Sequence, residues 1–372
     1  MKIDANSQYP LYLQIADALR AELKSGAFAT NQALPTERML SEKLNVNRRT
    51  IARAMDILRN EGLVQRIKGR GSFNAGKEEF LSIPQLYSNF KIAGIAIPIC
   101  MENSHAAQMA DGAIKFLHKN NIQTIRFSSD SAEYEREIVT RNRALLSGII
   151  HYPFFKDKAA TANINYFLSL GLPVVEIGNI EEEGDYSLVR SDDESGAAEA
   201  VEYFIRAGHK RIMFFPAKND HVQKSMRRSG YEESVSKAGL KVEIAGYEKQ
   251  ENRPEMAVAF EYTLGLFGKK PFPTALLAQN DMIATGIYRA LKALAIKTPD
   301  DVELMGFGDD VEASIIYPES ANPVSTVLVD RVAIGGKAAE ILMKKIAAPF
   351  SKPVRERLPT RIIHRKTTKG KR

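Results

Sequence analysis

Four arginines that lead into and line a single helix, followed by a basic glycine turn, are the residues of this sequence most clearly suited to chemistry. In NRRTIARAMDILRNEGLVQRIKGRGSF, Asn47 to Phe73, Asn47 is a good N-cap, and Ile51, Ala54, Met55 and Leu58 recur at helical spacing. One face is thereby buried, and Arg48, Arg49, Arg53 and Arg59 lie off it. Gly62 ends the helix. Two arginines in a first turn conflict with the partial positive charge of a helix N-terminus, and a bound phosphate would relieve that conflict. The chemistry implied is recognition of a phosphate backbone.

The elements that must position these arginines are legible around them. Tyr12, Ile15, Ala16, Leu19 and Leu23 form an apolar stripe on a first helix, Leu11 to Ser25, stopped by Gly26. Leu34-Pro35-Thr36 breaks the chain and caps a second helix, Glu37 to Leu44. Asn45-Val46-Asn47 turns into the third. Leu63 to Ile67, the turn Gly69-Arg70-Gly71 and Ser72-Phe73 read as a β-hairpin wing. A solvated basic face is the bland alternative, but three helices in this order before a basic wing favour DNA.

The segments YPLYLQIADALRAELKSGAF, LPTERMLSEKLNVNRRTIARAMDILRNEGLV and GRGSF resemble the DNA-binding module of the GntR family of bacterial transcription factors, over residues 8 to 74. The resemblance implies DNA contacts from Arg38, Arg48, Arg49, Thr50 and Gly71. Arg70, Asn47 and Arg53 complete the candidate set. The chain departs from the family at Ala52, where an arginine is frequent, so an operator sequence does not carry over.

At 372 residues with 44% hydrophobic content, the chain is long enough for two domains or more. Residues 1 to 76 hold 12 Lys or Arg against 7 Asp or Glu, five of the chain's formal +7. Most of the positive excess therefore sits where DNA is expected. The single cysteine, Cys100, forms no internal disulfide, no apolar signal core opens the chain and no run reaches membrane-spanning length. A cytoplasmic protein with no membrane partner is expected.

The stretch 77 to 90 lacks periodicity and contains Pro84, so the expected division is a winged helix-turn-helix domain over 1–76, a linker over 77–90 and a larger domain over 91–372. In that last part, apolar runs at Lys91–Ile99, Gly148–Tyr152, Pro173–Ile177, Arg211–Phe215, Ala275–Ala278 and Val302–Gly306 are interleaved with helical patterns. Those helices are expected at Ala107–His118, Ser195–Ala207, Ser229–Ala238 and Met282–Leu294. This is the α/β alternation of doubly wound parallel sheets, here in two lobes, with a ligand site at strand carboxyl ends.

VRSDDESGAAEAVEYFIRAGHKRIMFF, RRSGYEESVSKAGL, TALLAQNDMIATGIYRALKALAIKTPDDVELMGFGDD and NPVSTV resemble the effector domain of the LacI/GalR repressors, a likeness running over residues 91 to 365. The domain pairing resembles the arabinose-repressor subgroup. These resemblances imply a two-lobed periplasmic-binding-protein-like fold, a homodimer and a small-molecule effector, usually a sugar. They imply ligand contacts from Arg227, three residues before Gly230-Tyr231, and from Asn280 in AQND, with Asp281 capping the following helix. Gly308 and Gly178 stand where relatives frequently carry ligand aspartates, which points to a sugar acid or sugar phosphate as well as a sugar. Asp309 or Glu176 could restore an acceptor, and Arg190 could add positive charge, although a surface position is its ordinary role. Asn103, Ser104 and His105 belong to a loop expected to border the site.

No catalytic constellation competes. The six histidines, at 105, 118, 151, 209, 221 and 364, have no metal-protease spacing, and GxSxG and P-loop patterns are absent. His209 is expected to be a structural loop residue. No cofactor or metal is expected. The reading is a ligand-responsive regulator, expected to be a repressor of a carbohydrate operon acting as a homodimer on palindromic double-stranded operator DNA. An activator or corepressor-dependent regulator is the alternative within that class, and a carbohydrate-active enzyme or an exported solute-binding protein outside it. The basic tail, Arg365 to Arg372, is expected to be a disordered solubilising end.

Overall fold

Apolar residues at helical spacing bury one face of each of three short helices, and the computed structural model shows the helices where those residues fall. It describes residues 3, 10–67, 70–75, 91–97, 104–127, 131–152, 157–178, 184–216, 222–245, 253–268, 271–310, 316, 322–349 and 351–370. Helices α1 (Leu11–Lys24), α2 (Glu37–Leu44) and α3 (Arg48–Asn60) precede a hairpin of β1 (Val64–Ile67) and β2 (Gly71–Asn74), antiparallel with Ile67 opposite Gly71. Ile15, Leu19, Leu40, Ile51, Ala54 and Leu58 form the core. Thr36 caps α2 and Asn47 caps α3, each side chain accepting a backbone N–H. Gly62, at φ +71°, closes α3, with the Leu63 N–H returning to the Leu58 carbonyl. The proposed linker over 77–90 and the wing-turn residue Gly69 lie outside the described residues.

The remainder alternates strand and helix. In chain order it contains β3 (Ile92–Ala96), α4 (Ser104–Lys119), β4 (Gln123–Phe127), α5 (Ala132–Arg141), β5 (Leu146–His151), α6 (Asp157–Ser169), β6 (Val174–Ile177), β7 (Ser187–Ser191), α7 (Asp193–Arg206), β8 (Ile212–Phe215) and α8 (Val222–Lys237). Then follow β9 (Glu243–Ile244), α9 (Glu255–Phe267), β10 (Ala275–Ala278), α10 (Asp281–Ala293), β11 (Glu303–Gly308), β12 (Ser325–Leu328), α11 (Arg331–Ala347), β13 (Arg355–Leu358) and β14 (Arg361–Ile363). One sheet has the order β13-β7-β6-β5-β3-β4 and the other β14-β12-β11-β10-β8-β9. Pairing is parallel among β4, β3, β5 and β6 and from β9 to β12, while β14 runs antiparallel to β12. Every residue of β8, β10 and β11 is buried, as befits parallel strands covered on both faces. Among the described residues no helix is long and apolar enough to cross a membrane.

By contact the chain divides into two compact units. The first draws on 1–99, 110–188 and 335–355, and the second on 100–109, 189–334 and 356–372. The tail belongs to the second unit, and its described part is not the disordered end expected from its charge. Thr367 and Thr368 are buried, the Thr367 hydroxyl donates to the Leu304 carbonyl, and the Lys369 N–H reaches Glu303. Neutral hydroxyls and backbone carry this packing together with one basic side chain, that of Arg365, which donates to Asp309 and to the Val324 carbonyl.

The first unit contains a buried charged cluster. His151, at the end of β5, sits with Nδ1 2.6 Å from Glu176 and Nε2 3.2 Å from Glu135, and both carboxylates are buried. Asn163 donates to Glu135 and to the Ala132 carbonyl. Glu176, expected as an effector-site acceptor, is instead a partner of this histidine, because a buried imidazole facing a carboxylate at each nitrogen must carry both protons. Burial opposes that charge, but Glu176 and Glu135 lift His151 to about 10, while burial lifts Glu176 to about 7 against the pull of His151.

Both groups bind protons more tightly here than in the unfolded chain, where they would titrate near 6.5 and 4.5. Their contribution is present at acid pH and is lost as pH rises through about 7 and then about 10. Thermal melts from pH 5 to 9 are expected to show stability falling with pH by up to about 1.4 kcal/mol per unit for each extra proton held. Glu176→Gln should flatten the lower part of that slope. In the second unit, a Cβ at Gly230 of α8 would lie 2.2 Å from the Glu194 carbonyl oxygen of α7. Gly230→Ala is expected to cost about 1–3 kcal/mol in a denaturant titration by forcing the two helices apart.

Candidate DNA interface and effector site

A helix that buries its apolar face must present its remaining side chains to solvent. In α3 the buried face is Ile51, Ala54, Met55, Ile57 and Leu58, and Arg48, Arg49 and Arg53 are exposed. Arg38 is exposed at the start of α2, within 3.6 Å of Glu42. Thr50 is half-buried behind Arg49. In the wing, Arg70 is exposed and Gly71 adopts φ +111° with open space where a Cβ would stand, so only backbone lies at that point. Asn47 has its side-chain oxygen occupied by the Arg49 N–H at 2.8 Å, which makes it a cap first.

Two features of this surface escaped the sequence reading. Glu37, in the first turn of α2, stands 3.5 Å from Arg48 and 3.9 Å from Arg66 of β1, so a carboxylate already moderates the positive charge heading α3. A phosphate is not needed to explain two arginines there. Arg53 lies over the Tyr12 ring at 3.9 Å, held by a cation–π contact between α1 and α3. The signal for Glu37 was its position in PTER, but pairing across two helices and a strand has no sequence period. The domain is further tied by Arg20, whose guanidinium grips both Glu61 oxygens at 2.8 and 2.6 Å.

In the second unit, the carboxyl end of β10 holds two of the expected effector residues, Arg227 through the Gln279 carbonyl and Asn280 next along the chain. Arg227 of α8 donates to Asp193 at 2.8 Å and to the Gln279 carbonyl at 2.5 Å, and its guanidinium lies 3.9 Å above the Phe307 ring. Asp193 is buried at the head of α7 and also accepts the Ser191 hydroxyl. The α7–α8 contact at Gly230 brings Arg227 and Asp193 into register.

The cap of α10 is Asn280 and not Asp281 as expected. Asn280 caps α10, accepting the Ile283 N–H at 2.8 Å, and its amide donates to Glu255 at 2.8 Å. Asp281 is buried and accepts the Asp310 N–H at 2.7 Å. Burial, followed by the neighbouring Asp310, raises the Asp281 carboxyl to about 7. A β-region residue preceding the helix caps it, and that residue is Asn280 at φ −148°, ψ 172°.

The remaining candidates are dispersed. Asp309 bonds Arg365 of the tail at 2.6 Å. Arg190 is buried on β7 and is not a surface arginine. His105, in the first turn of α4, reaches Asp310 at 2.9 Å. Ser104 begins that helix, but its side chain lies outside the described residues, as does Asn103. His209 meets Thr274 and Glu303 beside β8, a structural role as expected. Among the described residues no cluster of His, Cys, Asp or Glu could hold a metal ion. Asp310 and Arg331 were missed, because the double acid in GFGDD does not say which carboxylate turns where.

Comparison with known proteins finds relatives of both parts of the chain. Residues 11–73 match the model of bacterial regulatory proteins of the gntR family, and residues 201–368 match that of a periplasmic binding protein-like domain. The chain is 25% identical over 346 residues to an arabinose metabolism transcriptional repressor of Geobacillus stearothermophilus, covering 91% of each. It is 27% identical over 183 residues to the ribose operon repressor of Escherichia coli, covering 49% of this chain and 54% of that one. A LacI family transcriptional regulator from Enterococcus faecium, solved with bound ribose, superposes with a TM-score of 0.61 at 23% identity, over 76% of this chain and 100% of that one. A winged helix with an arginine-headed third helix, in front of two parallel sheets of this kind, is thus a transcriptional regulator that joins a GntR-type DNA-binding domain to a periplasmic-binding-protein-like domain.

Proposed function

We propose that this regulator is a repressor of a carbohydrate-utilisation operon, acting in the cytoplasm as a homodimer on a palindromic operator and released by a sugar or sugar derivative. The observation that carries the DNA half is the exposed set Arg38, Arg48, Arg49 and Arg70, carried by a domain with its own apolar core. Phosphate contacts from these arginines would supply affinity, and the head of α3 would choose bases. The sensing half is supported by Arg227, held at the carboxyl ends of β10 and β11, where ligands of open α/β sheets bind. The match along nine-tenths of the chain to an arabinose metabolism repressor supports a sugar signal. Residues 77–90 would serve as the connector between the two functions.

Release follows from linkage: the effector lowers operator affinity only to the extent that it binds the non-DNA conformation more tightly.

Fluorescence anisotropy of the upstream intergenic DNA at two salt concentrations, with and without L-arabinose and D-ribose, tests the whole reading. Specific, salt-sensitive binding that one sugar releases is expected. Arg48→Ala or Arg49→Ala should weaken operator binding by about tenfold or more, while leaving sugar binding unchanged. Arg227→Ala should bind the operator normally and no longer respond to sugar. If Arg227→Ala remains fully inducible, the effector site lies elsewhere.

A further inference from the structure

The loop that follows β11 carries two adjacent aspartates with different partners. Gly308 has φ +125° and Asp309 φ +55°, so the chain passes through two consecutive left-handed residues before Asp310. Asp309 is drawn to the tail: Arg365 bonds it at 2.6 Å while also donating to the Val324 carbonyl at 3.0 Å, and the Arg365 N–H is held by Ser325. Asp310 folds back over Gly308, and a Cβ on residue 308 would lie only 2.3 Å from its Oδ1. The carboxylate of residue 310 therefore occupies the space in which a side chain at 308 would begin. Arg331 fixes it there, donating Nη1 to the Gly308 carbonyl and Nη2 to Asp310, each at 2.7 Å. His105 approaches the same oxygen at 2.9 Å.

This carboxylate stands two residues past the end of β11, the neighbour of β10, whose own end holds Arg227 through the Gln279 carbonyl. Burial works against its charge, but His105, Arg331 and Arg227 hold its carboxyl below the usual aspartate range. The cations gathered at these strand ends already have acids: Arg227 has Asp193, Arg331 has Asp310 and Arg365 has Asp309. An incoming carboxylate or phosphate would have to displace one of these partly buried pairs and leave its carboxylate uncompensated. A hydroxyl donates to a carboxylate and accepts from a guanidinium without breaking either pair.

We propose that Asp310, and not Asp309, is the acidic residue of the effector site, placed there by the absent side chain of Gly308, and that the site takes a neutral polyhydroxylated ligand. This rests on the effector site proposed above. Asp309 and Arg365 act as positioning residues, anchoring the turn so that the next carboxylate faces the site. The expectation of a sugar acid or sugar phosphate, drawn from glycines at 178 and 308, is thereby replaced: the acid missing at 308 is supplied two residues later.

Calorimetric titration of the full chain with L-arabinose, D-ribose and the two corresponding aldonates tests this. One neutral pentose should bind and its aldonate should bind at least about tenfold more weakly. Asp310→Asn should weaken the pentose by about tenfold or more, and Asp309→Asn by less than about threefold. Gly308→Ala, which keeps every charge but puts a methyl where the Asp310 carboxylate lies, should reproduce the Asp310→Asn loss, so the test does not depend on one variant folding. Thermal melts of each variant report folding separately. The reverse ranking of the two aspartates, preference for an aldonate, or binding of none of the four compounds overturns the inference. Failure of the underlying reading is separable: it shows as pentose binding that Arg227→Ala leaves intact.

Discussion

A cation and a carboxylate taken out of water together cost less than either taken alone, so charges drawn into an interior are best met by one another. That constraint runs through the parts of this structure that matter most. Arg20 grips Glu61 in the winged helix, Arg227 pairs with Asp193, Arg331 with Asp310, Arg365 with Asp309, and His151 stands between Glu176 and Glu135. The exposed arginines of α2, α3 and the wing obey a looser rule, because water screens them. Arg38 and Arg48 have acids only at 3.6 and 3.5 Å, which leaves them available to a stronger anion.

The contrast separates the two binding functions by physics. DNA is a dense line of negative charge, so an interface with it works through exposed, weakly matched cations and depends on salt. A neutral sugar offers only hydroxyls, so the site proposed for it would use cations and acids already matched to one another, with the Phe307 ring beneath Arg227. Close packing makes such matching possible. Gly230 lets α8 approach α7, Gly306 makes room for Asp281, and Gly308 makes room for Asp310. Each missing side chain is a space into which a backbone or a carboxylate has moved.

Much of the architecture was legible beforehand because local chemistry specifies it. Helix α2 falls where its breaker and cap place it, α3 begins at the Asn47 cap and ends at Gly62, and Ala275–Ala278 is a strand from end to end. Hydrophobic spacing and turn residues act over a few positions, so they can be read along a line. The same holds for the exposure of Arg48, Arg49 and Arg53, which follows from the period of the buried face.

The partners of charged side chains were not legible in that way. Nothing in AQND tells which of two adjacent polar residues caps a helix and which is buried under the next strand, and the structure assigned Asn280 to the first role and Asp281 to the second. Glu176 was drawn to His151, 25 residues away, and Asp309 to Arg365, 56 residues away. By itself the sequence determined the three helices and hairpin at the front, the alternation of strand and helix behind them and which face of α3 is buried, because each depends on near neighbours. Helices α5, α6, α9 and α11 and strands β4, β7, β9 and β12 to β14 were not among the elements expected. Tertiary structure decided which acid meets which base, because a charge is satisfied by whatever the fold brings within about 3 Å, however distant along the chain.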